Sequence, residues 1–115
     1  MDRVEHVDDM SQEAWGRWFA RRGRLDIALL LFTVWDPVGV SDVPEAYDEY
    51  DSYAPQCLRP IASNDALRLA ATLAAIEQSS MGFSTQAVAL ADAAKKILSG
   101  AQASAQRWLR DELTR

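Results

Sequence analysis

The sequence predicts an all-α, single-domain bundle of four to five helices with a long C-terminal helix. Two observations lead to this prediction: apolar residues recur with the period of an α-helix over most of the chain, and helix-capping residues precede the periodic stretches. A chain of 115 residues is the size of one domain and can fold on a hydrophobic core without disulfides or metal. We therefore expect one helical domain over 1–115, with 1–10 partly frayed.

The first helix is predicted to begin after the capping residue Ser11. Trp15, Trp18 and Phe19 follow at spacings that place three aromatic side chains on one face. Gly23 is expected to end or bend this helix. The face has two interpretations, core and exposed binding surface, and burial is favoured because three exposed rings would promote aggregation.

The most apolar segment, Arg24–Trp35, is predicted to be the central helix because apolar side chains cover most of its circumference. A buried strand over 27–34 is the competing interpretation, and the alanine and leucine content favours the helix. The helix should stop at Asp36-Pro37, since the residue before a proline disfavours the α region. The core is predicted to form around Leu29, Phe32, Trp35, Leu58, Leu73, Ile76, Leu90 and Ile97.

Prolines mark the middle of the chain. Residues 42–45 predict a helix start, because an aspartate able to cap is followed by a proline and a glutamate suited to the first turn. A further helix is expected to begin near Asp51 or Ser52. That start places Pro55 in the first turn, where a missing N–H removes no intrahelical bond. Pro60 is expected to kink or end the helix.

Two more helices are predicted in the last third of the sequence. Residues 63–65 carry a cap signal for a helix that runs to Gln78, with Gly82 just beyond its end. A serine–threonine pair at 84–85 is expected to cap the last helix. Its apolar stripe keeps its phase across Gly100, which predicts one long helix that can bend there.

Charge and cysteine content narrow the class of protein. The net charge of −5 argues against a nucleic-acid binder, whose affinity depends on neutralising phosphates. No stretch is apolar for long enough to cross a bilayer, and residues 1–10 are acidic and polar, unlike a signal peptide. A single cysteine, Cys57, fits a reducing compartment. The sequence therefore predicts a cytoplasmic protein that binds neither nucleic acid nor membrane.

The sequence offers little for catalysis or metal binding. His6 is its only histidine and is expected at the surface, while Cys57 is expected to be a buried apolar side chain. These two residues do not assemble a metal cluster or a nucleophile–histidine set. The sequence contains no P-loop, dinucleotide-binding or zinc-protease motif. We therefore predict no cofactor, no metal site and no catalytic residue, and a non-enzymatic protein is favoured.

One stretch, Trp35–Tyr53, stands apart from the rest. It holds six acidic residues and all three tyrosines, and it contains no basic residue. Aromatic area combined with negative charge suits the binding of a basic protein partner. The predicted binding residues are Asp48, Glu49, Tyr50, Asp51 and Tyr53. The turn before them is predicted to be structural, with Asp36 accepting backbone N–H bonds, and comprises Trp35, Asp36, Pro37 and Gly39.

Two other interpretations of this stretch stay open. The tyrosines can serve the core, and the carboxylates can pair with the arginines of residues 17–24 on solvated faces. Alternatively, the carboxylates can form the site of a small hydrolase or metal-dependent enzyme. That enzyme would be built on Asp36, Asp48, Glu49 and Asp51.

Three motifs occur in order along the chain: W-D-P-V-G-V at 35–40, P-E-A-Y-D-E-Y-D-S-Y-A at 44–54 and I-E-Q-S-S-M-G-F at 76–83. Together they resemble a family of small bacterial proteins of unknown function with W-D-P-aliphatic-G-V, D-E-Y-D-x-Y and I-E-x-x-x-M-G motifs. The resemblance covers residues 25–83. It implies a compact helical fold and a role for Trp35–Tyr53, but no reaction. Such proteins often come from accessory or mobile genes, including gene cassettes and immunity-like partners of toxins, so an inhibitor role is implied by analogy.

Large aromatic side chains are concentrated near the two ends of the chain, and a small domain has limited interior in which to bury them. Either the first helix packs on the last within one chain, or two copies share these side chains across a two-fold interface. The homodimer is slightly favoured. Its predicted interface consists of Trp15, Trp18, Phe19, Trp108 and Leu109.

Overall fold

The computed structural model describes residues 4–35, 47–81 and 85–113, without the side chains of 47–49, 80 and 81. Over these residues the chain is helical and contains no strand, which confirms the all-α prediction. The helices are α1 Gln12–Trp18, α2 Arg24–Leu30, α3 Tyr47–Ala62, α4 Ala66–Ile76 and α5 Ala87–Leu113. Shorter helical turns cover Val7–Asp9, Phe19–Gly23, Leu31–Trp35 and Glu77–Met81.

The helical path that begins with α1 is continuous from Gln12 to Trp35, so of the two predicted roles of Gly23 the helix end is wrong, and the bend stays a prediction. Ser11 caps its start as expected, because its hydroxyl accepts a hydrogen bond from the Ala14 amide at 3.1 Å. Gly23 has a packing role instead. A Cβ at this position would lie 2.7 Å from atoms of the Trp18 ring. The missing side chain therefore lets the indole lie against the backbone.

Two glycines on this helical path should respond in opposite ways to alanine. Gly23→Ala forces a Cβ into the Trp18 ring, and overpacking of this kind costs about 1–3 kcal/mol. Gly16→Ala adds a Cβ that meets no atom within 4 Å, so the higher helix propensity of alanine should stabilise the fold by up to about 1 kcal/mol. Urea unfolding followed by circular dichroism measures both changes. Equal effects of the two substitutions would contradict the proposed contact.

Helix α3 is one helix over Tyr47–Ala62, so the predicted start near Asp51 or Ser52 is wrong. Both prolines lie inside the helix, and Pro60 does not end it, because the helix continues for two more residues. Each proline removes one backbone hydrogen bond. Burial explains why the helix persists, since four side chains at helical spacing are at most 1% exposed: Tyr50, Ala54, Cys57 and Ile61. The predicted helix start at 42–45 lies outside the described residues.

The last two helices agree with the sequence except at the start of α5. Asp65 caps α4 by accepting a hydrogen bond from the Arg68 amide at 3.0 Å. Helix α5 runs unbroken through Gly100, which confirms the predicted long C-terminal helix. The Thr85 hydroxyl, predicted to cap α5, donates a hydrogen bond to Glu77 Oε2. Position 84, like Gly82, lies outside the described residues. Across the described ranges no helix is both long and apolar enough to cross a membrane.

Most of the predicted core is where the sequence placed it. Trp35, Leu73, Ile76, Leu90 and Ile97 are buried, and Phe32 and Leu58 pack against them while partly exposed. Leu29 is the exception, with 52% of its surface exposed, so its assignment to the core is wrong. Helix α2 and the helical turn that follows it bury Ile27, Ala28 and Leu31, and the leucines at 25 and 29 face solvent.

Leu29→Ala is therefore expected to lower the free energy of unfolding by less than about 1 kcal/mol, because little apolar surface returns to water. Leu31→Ala, two residues further along the same helical path and fully buried, is the matched control and should cost about 2–5 kcal/mol. Chemical denaturation of the two variants under the same conditions gives the comparison. A loss at Leu29 as large as that at Leu31 would contradict the placement of α2.

The first helix packs on the last within one chain. Trp15, Trp18 and Leu109 are buried, and the Trp18 Nε1 atom donates a hydrogen bond to Ser104 Oγ on α5 at 3.2 Å. Phe19 and Trp108 are partly buried against the same core. Most of these aromatic side chains are thus buried within one chain, so their burial does not require a second copy. The homodimer stays a prediction.

The segment before α1 also docks on α5. Val7 and Met10 are buried, and Gln106 holds the segment by two hydrogen bonds to its backbone. Its side-chain oxygen accepts from the Val7 amide at 3.2 Å, and its side-chain nitrogen donates to the Glu5 carbonyl at 2.9 Å. Residues 4–10, the described part of that range, thus contact α5, and partial fraying over 1–10 stays a prediction.

Candidate functional site

Four aromatic side chains form a cluster that includes Trp35 and Tyr53, the two ends of the acidic stretch. The ring centroid of Trp35 lies 6.0 Å from that of Tyr50 and 6.3 Å from that of Tyr53, both edge to face. Tyr50 also contacts Phe32 and Tyr53, with centroids 5.6 and 6.3 Å away. Trp35 and Tyr50, which flank residues 36–49 in the sequence, therefore meet in this cluster. Contacts of this geometry contribute about 0.5–1.5 kcal/mol each beyond the area they bury.

The buried carboxylate of Glu77 is hydrogen-bonded to Trp35, one of the four aromatic residues of the cluster. Glu77 is 1% exposed, and its Oε2 accepts a hydrogen bond from Trp35 Nε1 at 2.8 Å. The Thr85 hydroxyl donates to the same oxygen at 2.7 Å, and the Thr85 amide donates to Oε1 at 2.9 Å. One carboxylate thus joins three segments: the end of the first helical path, the turn after α4 and the residues before α5. Several donors offset the cost of burying a carboxylate.

Reasoning from the sequence missed Glu77. A signal was present, because Glu77 lies four residues after Leu73 and eight after Leu69, on the same helical stripe as these buried leucines. A charged residue on an apolar stripe indicates a buried polar role. The motif at 76–83 contains this glutamate, and the resemblance implies no role for Glu77.

The predicted binding residues separate into different environments. Tyr50 is 1% exposed and belongs to the core, as the second interpretation of the tyrosines expects. Tyr53 is half-buried beside it. Asp51 pairs with Arg24 across α2 and α3, with Oδ2 and Nη1 2.8 Å apart. The side chains of Asp48 and Glu49 lie outside the described part of the chain. A partly exposed ion pair such as Asp51–Arg24 contributes up to about 1 kcal/mol.

The predicted structural turn is described at one position only. Trp35 is buried and hydrogen-bonded, as a structural role requires. Asp36, Pro37 and Gly39 lie outside the described residues, so the proposed capping by Asp36 stays a prediction.

His6 and Cys57 are the residues that the sequence offers for nucleophilic catalysis or metal binding, and both are described. His6 is exposed and contacts Asp8, with Nδ1 3.3 Å from Oδ2. Cys57 is buried, and burial raises the pKa of its thiol to about 12, so the thiol stays protonated and is a poor nucleophile. Among residues 4–35, 47–81 and 85–113, no group of three or more His, Cys, Asp or Glu side chains could hold a metal ion. Of the four carboxylates proposed for an enzyme, only Asp51 is described.

Comparison with protein-family models, curated proteins and solved structures finds no match for this chain. The resemblance to a family with three ordered motifs therefore stays a prediction. The described residues define a helical protein in which a buried carboxylate and an aromatic cluster hold the two ends of an acidic segment.

Proposed function

We propose that the protein is a non-enzymatic protein-interaction module whose acidic segment, residues 36–51, binds a basic protein partner. The observation that carries the proposal is the charge of this segment, six carboxylates with no basic residue among them. By analogy with immunity-like proteins, such binding would inhibit the partner. A cytoplasmic location is part of the proposal and rests on the single cysteine.

The negative charge of the segment acts on the rate of association and on its specificity. A concentrated negative charge attracts a basic surface over several ångströms and accelerates encounter, and the effect falls as salt screens the charges. Asp51 is paired with Arg24, which leaves Asp36, Asp42, Glu45, Asp48 and Glu49 as the proposed contacts. Binding should therefore weaken as the salt concentration rises.

The aromatic cluster gives the segment fixed attachment points. Trp35 is tied to Glu77, and Tyr50 is packed between Phe32, Trp35 and Tyr53. Anchoring both ends restricts the conformations of the segment before binding, which lowers the entropy lost on association. In this proposal Tyr50 acts as an anchor, and the partly exposed ring of Tyr53, two residues after Asp51 in the sequence, is the aromatic surface that meets the partner.

The test compares two variants of equal net charge as bait for proteins from the native host. The first, Asp42→Asn/Glu45→Gln/Asp48→Asn, removes three charges from the segment. The control, Glu5→Gln/Asp9→Asn/Glu13→Gln, removes three charges from the N-terminal region. The segment variant should lose a basic protein that wild type and control both retain, while circular dichroism shows all three baits folded.

Association rates of the captured protein, measured at increasing salt, complete the test. Wild type and control should slow steeply, and the segment variant should start slow and change little. If both variants capture the same protein equally well, or if capture is insensitive to salt, the acidic segment is not the binding site.

A further inference from the structure

A groove of about 410 Å³ runs between the start of α1 and the second half of α3. The side chains of Met10 and Trp15 form its floor, and both are less than 9% exposed. Pro55, Leu58 and Ala62 line the facing wall. Because these three positions follow helical spacing, the groove presents one continuous apolar strip of α3.

One charged side chain lines this groove, that of Arg59, and the other polar lining residues, Gln12 and Ser63, are uncharged. Arg59 is exposed and lies between Leu58 and Ala62 on the same wall. In the described part of the protein, none of the ion pairs includes Arg59. A guanidinium beside an apolar strip is complementary to an anion with an apolar body.

We propose that this groove binds a small amphipathic carboxylate, with the carboxylate on Arg59 and the apolar chain along Trp15, Met10 and Leu58. The volume lies in the range of small-molecule sites, which is about 300–1,000 Å³. Lining by apolar side chains with a few polar groups is also typical of such sites. Guanidinium can hold a carboxylate through two parallel hydrogen bonds, which orients the head group at the rim.

The site does not use residues 36–51, so it is independent of the proposed function. A basic protein on the acidic segment and a carboxylate on Arg59 require charges of opposite sign. Failure of either proposal leaves the other standing.

Decanoate below its micellar concentration is the probe, and decanol and decyltrimethylammonium, which carry neutral and cationic heads, are its matched controls. Titration followed by two-dimensional NMR should shift the signals of Met10, Ala62 and the Trp15 indole with a single site per chain. Arg59→Gln should weaken decanoate binding about tenfold, the loss expected for a hydrogen bond to a charged group. Arg68→Gln, an exposed arginine of α4 outside the groove lining, should leave the affinity unchanged.

A second variant tests the apolar half of the site. Leu58→Ala should weaken decanoate and decanol alike, whereas Arg59→Gln should affect decanoate alone. Absence of decanoate shifts at Met10, Ala62 and Trp15 up to its solubility limit would overturn the proposal. Equal affinity for decanoate and decyltrimethylammonium would also overturn it, and so would an Arg59→Gln variant that binds as tightly as wild type. Groove binding by a peptide with an apolar C-terminal residue, without decanoate binding, would replace the small carboxylate with a peptide as occupant.

Discussion

Trp18→Ala is expected to lower the free energy of unfolding by about 3–5 kcal/mol, the range seen when a buried tryptophan is truncated. Trp18 is fully buried and meets Trp15 edge to face, with ring centroids 5.5 Å apart. Its Nε1 donates to Ser104 Oγ, and the Ser104 hydroxyl in turn donates to Asp26 Oδ2. Truncation therefore leaves a large cavity between three helices and removes the donor to Ser104. Urea unfolding monitored by circular dichroism measures the loss.

Two further variants separate packing from hydrogen bonding at this position. Trp18→Phe keeps most of the ring and removes the N–H, so its cost should be smaller than that of alanine. Trp108→Ala truncates a tryptophan that is only partly buried on α5 and should cost less than half as much as Trp18→Ala. If Trp108→Ala were the more damaging change, Trp18 would not be at the centre of the contact between α1 and α5.

Glu77→Ala is expected to lower the free energy of unfolding by about 3 kcal/mol. The change removes the shared acceptor of Trp35 Nε1 and the Thr85 amide, whose distances to the carboxylate are 2.8 and 2.9 Å. A buried donor left without a partner costs about 1–3 kcal/mol, and the change leaves the buried Trp35 indole N–H and the part-buried Thr85 amide without their acceptor, while the Thr85 hydroxyl can rotate to another partner. The indole N–H of Trp35 should also exchange with solvent faster, which hydrogen exchange detects at that single atom.

The neighbouring Gln78 supplies the control for Glu77. Gln78 is exposed, and Gln78→Ala should change stability by no more than about 0.5 kcal/mol. Glu77→Gln preserves the volume and one acceptor oxygen, so its effect should fall between the two alanine variants. A Glu77→Ala protein with unchanged stability and unchanged Trp35 exchange would show that the carboxylate does not hold the cluster.

The sequence predicted the helices well where the signals are local. The caps at Ser11 and Asp65 were recognised because a side chain and an amide three residues later decide such a cap. The long helix α5 was recognised because its apolar stripe keeps one phase across Gly100. These features depend on residues within a few turns of each other.

Local signals failed where distant parts of the chain decide the outcome. The prolines of α3 suggested a later helix start, but Tyr50, Ala54, Cys57 and Ile61 gain more by burial against other helices than two missing hydrogen bonds cost. Gly23 suggested a helix end, but its lack of a side chain accommodates the Trp18 ring. The apolar helix over 24–35 suggested that Leu29 belongs to the core, although the neighbouring helices cover only part of the circumference of this helix.

The candidate site also has features that the sequence predicts and features that depend on contacts between distant residues. Its charge is a property of composition, and the sequence alone determined that residues 36–51 carry six carboxylates and no cation. Only the tertiary structure decided that Asp51 pairs with Arg24, that Tyr50 is an anchor in the core, and that Glu77 joins Trp35 to Thr85. The partners in the Asp51 and Trp35 contacts are 27 and 42 residues apart. Helical periodicity relates residues three or four positions apart, so it could not predict which distant side chains would meet.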